Sequence, residues 1–330
     1  MGSYAPSVYR ALNGIFCVYK PPKQTMGVLV RTIQSALGKE LNDLPGRPVR
    51  QRVVFEELPD GSVAVATVPD LSDHPLVVGP RYQPEFFDIQ WVDGLPLYAS
   101  GVQVLGIGAQ IPMLKRIKRA RFLRVYQVEA ILGRATKDFT IYSETTEQTT
   151  FRHVTHERLD RVLGAFQAGH RKNAFYSLNV DPQSQEAYEL AAQGMVRPTH
   201  EQMGAVIYGL KCIHFQPPNF TIEIHCCNED VDFMAAMVHE IGIELRASAC
   251  CTKIRRIRYG DFTLDYALLN KEWKSSFILD NISQCLPLLQ PSRLQHRGAV
   301  QATRRPSPTR QEKLSGDHLL DDGDRGGPPG

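Results

Sequence analysis

The sequence predicts an α+β domain built on a central, mainly antiparallel mixed sheet flanked by helices. Three observations carry this reading. Runs rich in β-branched and aromatic residues come mainly in adjacent groups, segments of helical period are inserted between them irregularly, and the signatures of dinucleotide or phosphate-binding β-α-β folds are missing. GVQVLGIG does not open a helix with a G-x-G-x-x-G turn, and neither a P-loop nor an H-E-x-x-H pair occurs.

From the amino end, GIFCVYK at 14–20 reads as a strand and VLVRTIQSAL at 28–37 as a helix, its apolar residues spaced three and four apart. RVVFEEL at 52–58, VAVATV at 63–68, SGVQVLGIG at 100–108 and FLRVYQVEAIL at 122–132 read as strands. In the next helix, Leu159, Val162, Leu163 and Phe166 share one face, and Thr155 with Arg158 marks its start. QEAYELAAQG at 185–194 is helical in period, AVIYGLKCIHF and FTIEIHCC are strands, VDFMAAMVHEIGIEL is a helix, and ASACCTKIRRIRY at 247–259 is a last long strand.

At 330 residues, 42% hydrophobic and 22% charged, the chain has the make-up of a globular protein with a sizeable core. No apolar run approaches the roughly 20 residues a membrane-spanning helix needs. Residues 14–290 hold no linker-like stretch and read as one domain, whereas 291–330, poor in aromatics and rich in Pro, Gly and mixed charge, read as a disordered tail. The first 39 residues lack Asp and Glu but carry Arg10, Lys20, Lys23, Arg31 and Lys39, a composition typical of mitochondrial targeting segments; the strand beginning at Gly14 confines such a segment to 1–13.

Seven cysteines, an odd number with two adjacent pairs and no C-x-x-C, fit a reducing compartment. Neighbours on a strand face opposite ways, so Cys226-Cys227 and Cys250-Cys251 cannot each offer both thiolates to one ion beside His225, and they read as buried, inert thiols with no metal.

The net charge of +3 decides little, so its distribution matters more. Lys115, Arg116, Lys118, Arg119, Arg121 and Arg124 fall within ten residues just before an aromatic-bearing strand, and no acid occurs between Asp93 and Glu129. A solvated helix face would intersperse acids, so this run points to RNA or another polyanion. Lys20-Pro21-Pro22, a strand ending before a helix, reads either as a substrate-facing cation or as a surface lysine before a proline turn.

The motifs K-P-P, A-S-G-V, R-V-Y-x-V-x-x-x-L-G-x-x-T-x-D, Y-S, Q-E-A-Y-E-L-A, H-E-I-G-x-E-L and I-R-R follow one another along the chain. In this order they resemble TruB-type pseudouridine synthases over most of residues 14–270, and HPLVVGP and VHEIGIELRASACCTKIRRIRYGDFTLDYALL are most similar to the animal mitochondrial branch. The resemblance implies a pseudouridine synthase-like fold, no cofactor, no metal and residence in the mitochondrial matrix. It also implies an RNA substrate (mitochondrial mRNA, rRNA or tRNA), with mitochondrial RNA-processing or ribosome-assembly proteins as partners. The target uridine must leave the stack, since its C5 and glycosidic bond are otherwise out of reach. The family tyrosine that stacks on the extruded base falls on Tyr126, which also reads as a core strand aromatic. The expected RNA contacts are Lys20, Lys115, Arg116, Lys118, Arg119, Arg121 and Arg124, with Arg255 and Arg256 as a second patch beside the pocket.

Three departures stand out. The family's catalytic Asp falls on Pro96, which has no carboxylate, and its partner Arg falls on Ala235. Loss of both removes an uncompensated buried charge. The family signature before the late helix is replaced by Cys227-Asn228-Glu229-Asp230-Val231-Asp232, acids that suit a helix start. Two readings follow: an RNA-binding descendant without chemistry, or an active synthase whose nucleophile has moved to Asp93, itself also readable as half of an ordinary Asp-Gly turn. Asp88 is a weaker substitute, and a purely structural subunit is a third reading.

Overall fold

The alternating runs become strands, and the longest of them assemble into a single sheet. The computed structural model describes residues 4–289 apart from 47–48, 58, 60, 62, 73, 194–203 and 230–231, so the expected tail at 291–330 lies outside the described residues. The strands are β1 (Gly14–Lys20), β2 (Gln51–Glu57), β3 (Val63–Pro69), β4 (Ile89–Trp91), β5 (Ala99–Ile107), β6 (Arg124–Leu132), β7 (Arg134–Thr136), β8 (Thr145–Gln148), β9 (Val206–Gln216), β10 (Asn219–Cys227), β11 (Ala249–Tyr259) and β12 (Phe262–Thr263). The helices are α1 (Ala5–Ala11), α2 (Met26–Asp43), α3 (Pro75–Val78), α4 (Ile111–Arg119), α5 (His156–Tyr176), α6 (Gln185–Gln193), α7 (Phe233–Glu244) and α8 (Ser275–Cys285).

The eight-stranded sheet has the order β1-β5-β11-β6-β10-β9, with β4 beside β5 and β12 beside β11. All its pairings are antiparallel except β5 with β11, which run parallel over three residue pairs, Ile254 with Ala99, Arg255 with Ser100 and Arg256 with Gly101. The fold is therefore α+β with a mixed, mostly antiparallel sheet. The β2–β3 hairpin forms a separate two-stranded sheet.

Helix α5 packs on β9 and helix α7 on β11 and β6, and Leu159 and Leu163 join Val128, Ile222, Ile224 and Ile241 in one core. Helix α2 covers β1 and β5 through Leu29, Ile33, Leu37 and Leu41, all without solvent exposure. Each such leucine or isoleucine contributes about 1.5–3 kcal/mol by leaving water. The helix starts are set locally: Thr25 accepts from the Val28 N–H and Thr155 from the Arg158 N–H, each at 3.3 Å. Residues 5–11, within the segment of targeting composition, form α1 on the body of the domain. Ala5 is buried and donates to the Pro45 carbonyl at 3.0 Å, and the Tyr9 ring lies 5.6 Å from Phe87.

The short parallel seam places strict demands on Gly101. Its φ of +119° is open only to glycine, and a Cβ there would collide with the carbonyl oxygen of Arg256 and lie 2.7 Å from its nitrogen. Gly101→Ala is expected to destabilise the fold by about 3 kcal/mol or more, through backbone strain and overpacking together. Urea unfolding of the purified variant measures this, and a loss below about 1 kcal/mol would show that the seam relaxes around the methyl group.

Candidate functional site

On β6 the residues Arg124 and Tyr126 are two apart, so their side chains emerge on one face. Opposite them β11 carries a register shift between Arg256 and Arg258, which pairs Arg256 with Tyr126 and Tyr259 with Arg124. Simple alternation would send Arg256 and Tyr259 to opposite faces; the extra residue brings both to bear on the same turn. That turn, residues 92–96, leaves β4 alongside β5. Gln103 of β5 holds it, donating to the Val92 carbonyl at 2.6 Å and accepting from the Leu95 N–H at 3.3 Å. Arg256 donates to Gln103 Oε1 at 2.9 Å and to the Asp93 carbonyl at 3.0 Å.

Asp93 thus sits in the left-handed region, φ 41°, a conformation costing a non-glycine residue about 1–3 kcal/mol. Its Oδ2 accepts from Arg124 Nη2 at 2.5 Å and from the Tyr259 hydroxyl at 2.7 Å. Oδ1 accepts no hydrogen bond among the described residues. The other terminal nitrogen of Arg124 donates to Glu229 Oε1 at 2.6 Å, and so does the Tyr126 hydroxyl at 2.6 Å. One guanidinium therefore bridges two carboxylates. Burial, then the negative charge of Glu229, pushes the Tyr126 phenol well above its usual pKa; burial does the same for Tyr259, with the Arg124 charge opposing it. Both stay neutral hydrogen-bond donors.

These groups line a pocket of about 580 Å³, within the roughly 300–1,000 Å³ typical of small-molecule sites. Asp93, Pro96, Arg124, Tyr126, Glu229 and Arg256 contribute to its wall, and Lys118 and Arg121 bring positive charge to it. The pocket can accept a planar group beside Tyr126 and an anion beside Lys118 and Arg121, with an aspartate held close by.

The structure sorts the residues singled out in the sequence. Lys115, Arg116, Lys118 and Arg119 are exposed on α4, whose buried side is Leu114 and Ile117, while Arg121 is half-buried at its end. Three expected RNA contacts are corrected. Lys20 is fully buried, with Nζ donating to the Ala99 carbonyl at 2.7 Å and the Pro21 carbonyl at 3.1 Å, because the carbonyls at the β1 and β5 ends need a donor there. Arg124 is engaged by Asp93 and Glu229, and Arg256 is buried with its donors on internal acceptors. Arg255 and Arg256 do not form one patch: Arg255 lies over the Tyr19 ring at 5.6 Å while Arg256 reaches the turn at Asp93.

Asp88 is exposed, and its carbonyl accepts from the Gly108 N–H. Pro96 lines the pocket, its carbonyl closing a turn with the Ala99 N–H, while Ala235 is buried in the apolar core and the adjacent Met234 reaches the pocket.

Three participants escaped sequence reasoning. Glu229 looked like a helix-start acid, but Asn228 adopts φ 58° and Glu229 is buried among Arg124, Tyr126 and Cys226. Its only sequence signal was an acid replacing the family signature. Tyr259 was hidden by the β-bulge, and Gln103 by its place in an apolar strand. Away from the pocket, His156, Asp160 and Cys212 bring ligand atoms within 4.8 Å of one another. His156 and Asp160 already pair at 3.1 Å across one helical turn, which accounts for their proximity without an ion.

Comparison with known proteins places these features in a family context. Residues 93–230 match the family model described as TruB family pseudouridylate synthase (N terminal domain). The chain is 42% identical over 296 residues to a Xenopus tropicalis protein named pseudouridylate synthase TRUB2, mitochondrial, an alignment covering 86% of this chain and 89% of that one. It is 38% identical over 283 residues to the Homo sapiens protein of the same name, covering 84% and 85%. Among solved structures, the crystal structure of the archaeal box H/ACA sRNP Nop10-Cbf5 complex is a looser likeness, with 11% identity and a TM-score of 0.45. It covers 88% of this chain, which spans 59% of that one.

The burial of Lys20 has a pH consequence. Desolvation, reinforced by the like charge of Arg256, lowers its pKa from an ordinary 10.5 to about 8. The folded protein therefore releases this proton before the unfolded chain does, so Lys20 adds stability as pH rises from about 8 towards 10.5. Urea unfolding of the wild type against Lys20→Met is expected to show the wild type gaining ground between pH 7 and 10. A difference that stays flat would mean that Lys20 titrates alike in both states.

Proposed function

Because the chain belongs to the TruB family of pseudouridylate synthases, in its animal mitochondrial branch, we propose that it binds RNA in mitochondria and isomerises an extruded uridine to pseudouridine, with Asp93 as the nucleophile. The observation that carries this reading is the placement of the Asp93 carboxylate in the same pocket as Tyr126, ion-paired with Arg124. A carboxylate–guanidinium pair thereby stands in the pocket although Pro96 and Ala235 occupy the positions at which the family pair falls.

In the proposed reaction Asp93 Oδ1 forms a bond to the ribose C1′ as the N1–C1′ bond breaks, and the uracil keeps that electron pair. The freed base rotates in the pocket beside Tyr126. C5 then bonds to C1′, displacing Oδ1, after which C5 releases a proton and N1 gains one; the product is an isomer of the substrate. No cofactor or metal enters the balance. The exposed cations of α4, with Arg121 at its end, would hold the phosphates on either side of the extruded nucleotide.

A second reading, RNA binding without chemistry, is favoured by Glu229, whose buried carboxylate occupies both Arg124 and Tyr126. Fold inheritance alone does not choose between the two.

Tritium release from mitochondrial transcripts labelled at uridine C5 tests the chemistry. Release by the wild type is expected to fall roughly 10³-fold or more in Asp93→Asn, as for loss of an essential nucleophile. Tight RNA binding with no release from the wild type would favour the second reading. Replacing Lys115, Arg116, Lys118 and Arg119 together by Ala is expected to weaken RNA binding at least about tenfold and to reduce the steepness of its salt dependence. An unchanged affinity in filter binding would exclude α4 from the RNA surface.

A further inference from the structure

Tyr259 stands behind the pocket wall, in contact with Asp93, and the proposed chemistry leaves it without a role. It is fully buried at the end of β11, its ring edge-on to Phe122 at 6.2 Å, with the guanidiniums of Arg124 and Arg256 at 5.1 and 5.2 Å from its centroid. Its hydroxyl donates neither to backbone nor to solvent but to Asp93 Oδ2, at 2.7 Å. A phenylalanine would pack as well in such a place, so the hydroxyl needs an explanation of its own.

We propose that Tyr259 is a positioning residue for uridine isomerisation, fixing Asp93 with Arg124 through Oδ2 so that Oδ1 is presented to the nucleoside. The inference rests on the reading of Asp93 as nucleophile and adds to it.

The geometry supports it in three ways. Two donors converge on one carboxylate oxygen and none of the described residues on the other, which fixes the side-chain rotamer and distinguishes the two oxygens. The left-handed backbone of Asp93 is held independently, by Arg256 on its carbonyl and by Gln103 on both flanks. Strain this fully determined belongs to sites where one conformation matters. Finally, Tyr259 is on a strand anchored at the centre of the sheet, so its hydroxyl is a fixed point rather than a mobile one. Among the described residues, the charged and titratable groups around Asp93 are Arg124 and Tyr126 of β6, Arg256 and Tyr259 of β11, Glu229 beyond Arg124, and Lys118 and Arg121 on the α4 side.

The test uses the full-length protein and tritium release across pH. Tyr259→Phe is expected to lower kcat roughly 10- to 100-fold with KM within about twofold, since orientation is lost and binding is not. The acid limb of its pH–rate profile is expected to move upward by about half a unit or more, because a carboxylate that loses a donor to its charged form is protonated at higher pH. Incorporation of 3-fluorotyrosine at position 259, a stronger donor of nearly the same size, is expected to move that limb downward. This variant keeps the test decisive if the phenylalanine protein folds poorly.

An unchanged kcat and acid limb in Tyr259→Phe, while Asp93→Asn is inactive, would overturn the positioning role and leave the nucleophile standing. A wild type without release, or an active Asp93→Asn, would overturn both.

Discussion

The architecture depends on a buried guanidinium at the sheet seam. Arg256 is almost inaccessible, yet its donors are met by the Val102 carbonyl, the Asp93 carbonyl and Gln103 Oε1. A buried cation is tolerated only when its donors are satisfied. Meeting them ties together β5, β11 and the 92–96 turn, the three pieces that form one wall of the pocket. Gly101, directly opposite, allows the two backbones the approach that this arrangement needs. The seam that joins the halves of the sheet and the clamp that shapes the turn at Asp93 are thus one interaction.

Around that clamp the two carboxylates of the pocket share one guanidinium. Arg124 bridges Asp93 and Glu229, so neither carboxylate is stranded and the guanidinium is held by both. The polar groups of the site arrive from several elements: the turn, β6, β11 and the segment before α7.

Electrostatics outside the pocket are simpler. Helix α4 has two buried apolar residues on its inner side and four exposed cations on its outer side, so these cations face solvent as their acid-free run suggests. Reading cations from sequence alone misplaced Lys20, which ends a strand before two prolines, and Arg124, which closes the basic run. Whether a cation faces solvent or satisfies internal acceptors depends on what the folded chain brings within reach, and neither residue's neighbours in sequence supply that information.

The sequence by itself determined the elements, because strand and helix periods are local properties: GIFCVYK became β1 residue for residue, Thr155 capped α5, and the motif order carried the family. It also singled out Tyr126 and Asp93, which the fold brings into one pocket wall, and the basic run that forms α4. The short helices α1 and α8 were not read, since their apolar faces are brief and are stabilised by contacts distant in sequence. Only the tertiary structure decided which side chains meet. A single extra residue in β11 turned Tyr259 towards Asp93, a left-handed Asn228 turned Glu229 inward, and the demand of unpaired carbonyls drew Lys20 into the core. Each of these outcomes depends on register and on burial against distant strands, which no local pattern encodes.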